Sequence, residues 1–190
     1  LRQTLRDSRF GSVGIDPILM GFNLVTERLD AEGDPPKLDI MARRWARAVE
    51  KHPKELARFK KHWARYKKAF LAATQYIRDH FPVYDASYLP SANMLATLAV
   101  FFYHHSGQPT GRQAKEIKKW FWATGVAKRY SGAGYHKNIV LDAILFRELA
   151  HGRNRHFTLQ ERLDPNADIA LEQYNASSAV TRAFFGLLAK

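Results

Sequence analysis

The chain has no cysteine among its 190 residues. It therefore has no disulfide framework, no thiol nucleophile and no cysteine-ligated metal site. Long apolar runs are missing too. The longest, Met94 to Tyr103, is interrupted by Thr97 and falls well short of the roughly 20 residues that cross a bilayer. Leu1 to Gly33 contains no uninterrupted apolar core of the kind a secretory signal peptide needs. These absences fit a cytoplasmic setting and exclude a membrane-spanning partner role. The chain opens on Leu1-Arg2-Gln3-Thr4 without an initiator methionine, and it is expected to be a piece of a larger protein.

Catalytic patterns are equally scarce. Asp85 and Asp142 are isolated in sequence, and no close carboxylate pair suggests acid–base chemistry. The eight histidines form no His-Glu-x-x-His or His-Asn-His cluster, and adjacent His104 and His105 point to different faces of a helix. Ser131-Gly132-Ala133-Gly134 resembles a phosphate loop only superficially. It follows a helix rather than a strand and lacks a Gly-Lys-Ser or Gly-Lys-Thr. No metal and no cofactor is expected, and this piece of chain is read as non-catalytic.

What is abundant is positive charge. The formal net charge is +12, and it is unevenly placed: −2 over residues 1–36, +9 over 37–81 and +5 over 82–190. A basic focus attracts polyanions and steers them by long-range field. Nucleic acid is the commonest such partner; an anionic membrane or an acidic protein is the alternative. With 46% apolar residues and 13% aromatic, the chain also holds enough material for a substantial core.

The pattern predicts an all-α fold, an irregular bundle of about six to eight helices around one buried central helix. Asp16-Pro17 opens a helix with Ile18, Phe22, Val25 and Leu29 on one face, and Gly33 with Pro35-Pro36 breaks the chain. Leu38, Met41, Trp45 and Val49 mark a second helix. Beyond Pro53, the residues Leu56, Phe59, Trp63, Tyr66, Phe70, Ala73 and Ile77 alternate spacings of three and four, a continuous seam. Ala92 to His104 is apolar nearly all round and belongs in the middle. Thr110-Gly111-Arg112-Gln113 has capping-box spacing for a helix reaching about Lys128, with Ala114, Ile117, Phe121 and Thr124 inward. A helix over about Lys137–Ala150 is expected to turn Leu141, Ile144, Leu145 and Leu149 inward, with Gly152 as its stop. Thr158 to Glu161 reads as another capping box, and Ser177 or Ser178 as the cap of a last helix through Leu188. The whole is read as one helical domain, with a basic half (1–81) and a tryptophan-rich half (82–190).

The most particular stretch is Lys118 to Gly132, which holds Trp120-Phe121-Trp122, Lys128-Arg129 and Tyr130-Ser131-Gly132. Two readings stay open for it: core aromatics followed by a helix cap, or a basic and aromatic group that holds a phosphate backbone. The pattern Leu89-Pro90 before an apolar helix, then Lys119-Trp120-Phe121-Trp122, then Lys128-Arg129-Tyr130-Ser131-Gly132, then Asp142, resembles the helical region of GmrSD-type proteins, with the similarity concentrated in residues 85–150. The resemblance implies a bacterial modification-dependent restriction or phage-defence protein. In that family a ParB-like domain with an Asp-Gly-Gln-Gln-Arg motif and nucleotide-dependent activity precedes the helical region, and a His-Asn-His-type nuclease often follows. This chain contains neither motif, so the resemblance carries over no nucleotide hydrolysis and no DNA cleavage; a nucleotide-dependent DNA endonuclease would be the activity of the longer protein.

Two functions remain. In the first, this is a non-catalytic module contacting nucleic acid, DNA above all, through Lys60, Lys61, Lys67 and Lys68 on the long helix, Lys118 and Lys119, and Lys128, Arg129 and Tyr130. In the second, it is a scaffold domain whose basic face docks an acidic protein or a neighbouring domain of the same protein.

Overall fold

The computed structural model describes residues 1–7, 10–29, 38–159 and 182. Among these, seven α-helices and one short 3-10 turn account for the regular structure, and no strand is present. The helices are α1 (Arg2–Asp7), α2 (Ile15–Thr26), α3 (Leu38–Lys51), α4 (Pro53–His80), α5 (Asn93–His104), α6 (Gly111–Val126) and α7 (Tyr135–Ala150), with the 3-10 turn over Ala86–Tyr88. The all-α expectation is met, and α1 is an addition to it. The capping box expected at Thr158–Glu161 and the last helix expected from Ser177 or Ser178 through Leu188 lie, apart from Thr158, Leu159 and Arg182, outside the described residues.

α5 is the centre. A helix apolar on every side must be covered on every side, and α2, α4 and α7 all pack against it. Only Asn93, Phe102 and His104 keep partial exposure; the rest of the helix is buried. One continuous apolar cluster extends from Leu5 through α5 to Phe157, so both halves of the sequence share a core.

Two features set how closely the helices approach. Gly21 on α2 faces the backbone of α5: a methyl group there would lie 3.0 Å from the Cα of Ala96 and closer still to the Tyr66 hydroxyl. That hydroxyl donates to the Ile18 carbonyl at 2.8 Å, so α4 is pinned to α2 where the glycine leaves room. At the other side of α5, the expected capping box is formed. The Thr110 N–H donates to Gln113 Oε1 at 2.8 Å, and the Gln113 N–H donates to Thr110 Oγ1 at 3.4 Å. The Gln113 side chain has a second task, donating to the Leu149 carbonyl at 2.7 Å and joining the start of α6 to the end of α7.

Helix α7 departs from expectation. Periodicity turns Leu141, Ile144, Leu145 and Leu149 inward, but Leu141, Ile144 and Leu145 are only half-buried. The buried face is Ile139, Val140, Asp142, Ala143, Phe146, Leu149 and Ala150. The helix is apolar on more than one side, so periodicity leaves its rotation open, and a buried carboxylate decides it. The seam on α4 also varies along its length: Tyr66, Phe70, Ala73 and Ile77 are buried, whereas Phe59 and Trp63 are half-buried and Leu56 is exposed.

Gly21→Ala should destabilise the fold by roughly 1–3 kcal/mol through overpacking. Leu98→Asp, which buries an unpaired charge in α5, should abolish folding. Urea denaturation followed by the helical circular dichroism signal checks both, and a Gly21→Ala midpoint equal to wild type would contradict the close approach.

Candidate nucleic-acid interface

The cations of α4 are placed by helix geometry. Residues three and four apart share a face, and Lys54, Arg58, Lys61, Arg65 and Lys68 follow that spacing without a break. All five are exposed. They lie opposite the buried Tyr66, Phe70 and Ile77, so burying the seam forces the charges outward. At 1.5 Å per residue the stripe is about 21 Å long, a distance over which B-DNA carries about 12 phosphates. Among the described residues Arg58 has one weak acidic neighbour, Glu55 at 3.6 Å, and the stripe itself carries five positive charges.

The four lysines singled out on α4 therefore separate. Lys61 and Lys68 belong to the stripe. Lys60 and Lys67 lie roughly a third of a turn away, each four residues after a side chain, Leu56 or Trp63, that lines an apolar groove of about 480 Å³ between α2, α3 and α4. Ile15, Met41, Trp45, Val49 and Phe59 are among the other residues of its walls. The buried Trp45 indole N–H has no acceptor among the described residues.

On α6, Lys118 and Lys119 are exposed as expected, with Lys119 3.9 Å from Glu116. Glu116 is buried, which pushes its carboxyl up, but the Phe157 N–H at 2.8 Å, His156 and Lys119 outweigh burial and hold it below its ordinary value. Lys128 is exposed and has φ of 51°, the left-handed region that favours glycine. The bonds around it form a Schellman cap: the Lys128 N–H donates to the Gly125 carbonyl at 3.3 Å and the Arg129 N–H to the Thr124 carbonyl at 3.1 Å. That cap reverses the chain after α6.

The reversal sends the next two residues inward. The sequence puts Arg129 and Tyr130 beside Lys128 as binding residues; the structure corrects this and buries both, at 3% and 6% exposed. The Arg129 guanidinium grips Asp142, Nη2 to Oδ1 at 2.9 Å and Nε to Oδ2 at 3.1 Å. The Tyr130 hydroxyl donates to Asp142 Oδ2 at 2.8 Å, and the Trp120 indole N–H donates to the same oxygen at 3.0 Å. Asn138 Nδ2 donates to the Arg129 carbonyl at 3.0 Å and fastens the turn. Burial pushes the Asp142 carboxyl up, with Arg129, Tyr130 and Trp120 opposing it; burial and the nearby carboxylate push the Tyr130 hydroxyl far up. With its guanidinium engaged and buried, Arg129 does not reach a phosphate backbone, and neither does Tyr130. Asp142, isolated along the sequence, is the hub of this network. A lone carboxylate inside the apolar run Ile139–Phe146 is the signal that could have found it, because a buried charge requires a partner.

A second concave feature lies at the far end of the stripe. A cleft of about 540 Å³ between α4 and the end of α5 is lined by Arg65, Lys68, Tyr103, His104, His105 and Gln108, among others. The Arg65 guanidinium lies 4.5 Å from the centre of the Tyr103 ring, a cation–π contact. The Tyr103 hydroxyl meets His62 Nδ1 at 2.5 Å. Burial lowers the His62 pKa, and Arg58, Arg65 and Lys61 lower it further. His104 falls to about 4 through burial, then through His151, Arg65 and Arg147. Among the described residues, no group of three or more histidine, aspartate or glutamate side chains gathers as a metal site, and no helix is long and apolar enough to cross a membrane.

Against known proteins, the chain matches no family model, no curated protein and no solved structure.

The buried pair can be tested by substitution. Asp142→Leu should cost about 3–5 kcal/mol, since it strands the buried Arg129, and Arg129→Met combined with Asp142→Leu should be less destabilised than Asp142→Leu alone; equal losses in a thermal-melt series would contradict the pairing. The histidines near the cleft make stability depend on pH. His104 in the folded protein has its pKa lowered to about 4 from 6.5. Between those values the unfolded chain binds a proton that the folded protein refuses, so stability is complete above about pH 6.5 and declines toward pH 4. With solvent screening of a partly exposed ring the loss is about 1–2 kcal/mol. Denaturation midpoints from pH 4 to 7 should show this slope in wild type and a shallower one in His104→Gln.

Proposed function

We propose that this chain is a non-catalytic helical module that associates with nucleic acid, duplex DNA above all, through the outer stripe of α4. The supporting observation is the unbroken row of Lys54, Arg58, Lys61, Arg65 and Lys68, exposed and opposite the core. Cations on one rigid helix contact a phosphate backbone without reading sequence, and each neutralised phosphate releases counterions. Lys118, Lys119 and Lys128, also exposed, are the further cations of this reading. Lys128 carries extra weight, because lysine occupies a left-handed position that glycine adopts at lower cost.

The biological setting we infer is a modification-dependent restriction or phage-defence protein, with catalysis in other parts of a longer chain. Its support is the Trp120-Phe121-Trp122, Lys128-Arg129-Tyr130 and Asp142 pattern. Those residues build the α6–α7 junction, so likeness at these positions speaks for a shared helical architecture and not for a shared DNA contact.

One observation favours a scaffold role instead. The apolar groove between α2, α3 and α4, holding the Trp45 indole N–H without an acceptor among the described residues and with Lys60 and Lys67 each about one helical turn beyond a lining side chain, suits an amphipathic acidic helix of a partner.

Fluorescence anisotropy with duplex and single-stranded DNA at two salt concentrations separates the readings. The nucleic-acid reading expects weak sequence dependence and a steep salt slope. Changing Lys54, Arg58 and Lys61 together to Gln should reduce that slope by about 0.9 for each phosphate no longer neutralised, with helicity unchanged. No binding at low salt, or a slope untouched by the triple variant, would favour the scaffold reading.

A further inference from the structure

The cleft between α4 and the end of α5 has a polarity that the stripe alone does not explain. At one end stand two cations from successive turns of α4, Arg65 and Lys68. Arg65 is already held in place: its guanidinium packs on Tyr103 at 4.5 Å, and Tyr103 is in turn fixed by His62. A preorganised guanidinium loses less side-chain freedom on gripping an anion than a loose one. At the other end, Gln75 and Asp79 form a polar pair, with Gln75 Nε2 donating to Asp79 Oδ1 at 2.7 Å. Between the ends, Ala69, Ala72 and Phe102 give an apolar floor.

We propose that this cleft binds a phosphate ester that also carries hydroxyl groups, a nucleotide or a sugar phosphate. The phosphate lies at Arg65 and Lys68, and the hydroxyls donate to Asp79 and Gln75. About 540 Å³ is within the usual range of small-molecule sites. From Lys68 to Gln75 is about 10 Å along the helix, too long for inorganic phosphate to bridge. Two features oppose an anion: the carbonyl end of α5, worth about half a charge, and Asp79. The two full cations at the near end outweigh the dipole, and Asp79 lies about three turns of helix from Lys68. His105 belongs to the wall: its ring nitrogens face the Ala150 and Gln108 carbonyls at 3.4 and 3.3 Å. His104 is the natural reporter, because Arg65 is among the groups that hold its pKa at about 4.

This site goes beyond the nucleic-acid reading and does not rest on it. The test is calorimetric titration of the whole chain with adenosine monophosphate, glucose 6-phosphate and inorganic phosphate, alongside NMR titration of the His104 ring. Binding of either ester, with the His104 pKa moving up as the anion offsets its positive neighbours, is the expected result, and the tighter of the two identifies the ligand as nucleotide or sugar phosphate. Inorganic phosphate should bind at least about tenfold more weakly, and Lys68→Gln should weaken the esters at least about tenfold. Lys68 is exposed, so this variant leaves the fold intact. Asp79→Asn should weaken the esters and leave inorganic phosphate unchanged. The Lys54, Arg58 and Lys61 triple variant to Gln should bind the ester as wild type does even when its DNA affinity is lost. Absence of heat and of a His104 shift with both esters at millimolar concentration would overturn the proposal. So would ester binding indifferent to Lys68→Gln, or lost in the triple variant, which would mark general attraction of polyanions.

Discussion

The carboxylate of Asp142 is the constraint on which the second half of the fold depends. It takes a two-pronged grip from Arg129 and single hydrogen bonds from Tyr130 and Trp120, all out of reach of solvent. Ion pairs of this kind add little net stability over well-packed apolar residues, but breaking one leaves a charge that the interior cannot accommodate. We take its role to be registry. Only one rotation of α7 aims Asp142 at the end of α6, and only a tight reversal at Lys128 delivers Arg129 and Tyr130 to it. The Schellman cap, the Asn138 bond to the turn and the stacking of Trp120 edge-on to Phe146 at 4.8 Å are the local structures that meet this demand.

The same logic divides α4. Its inner face supplies the pin from Tyr66 to α2 and the apolar rows that cover α5, so its rotation is fixed by the core. The outer face inherits whatever the sequence leaves there, which is a row of cations. Charge of one sign along a single helix repels itself, and a protein tolerates that arrangement most readily where an anionic partner relieves it. Burial is the main cause of the lowered pKa values of His62 and His104, and cations of the stripe add to it, Arg58, Arg65 and Lys61 at His62 and Arg65 at His104.

How much of this is legible in the sequence follows from the physics of each signal. Helix α5 is readable as the centre because all-round apolarity has one solution. The long helix α4 is readable because seven seam positions agree in phase, and the capping box at Thr110 because its chemistry is local. Gly21 carries no periodic signal; its meaning depends on Ala96 and Tyr66, which are distant in sequence. Arg129 and Tyr130 mislead because adjacency to Lys128 suggests a shared surface, whereas one left-handed residue turns its successors inward. The α7 face misleads for the related reason that a polar residue is expected to point outward. Asp142 is in plain view, but a buried ion pair is a property of two positions thirteen residues apart, and periodicity reads one helix at a time. The cleft depends on where α5 ends against α4, which no pattern along the chain specifies.

Two groups of residues thus have separate roles: the aromatic and arginine block holds the fold, and the α4 stripe is the surface proposed to meet nucleic acid. Amide and indole chemical-shift mapping during titration with duplex DNA measures both at once. Shifts should concentrate on α4 between Lys54 and Lys68, while the Trp120 indole and the Arg129 Nε–H signals stay in place. Movement of the Trp120 and Arg129 signals with α4 unperturbed would contradict this division of roles.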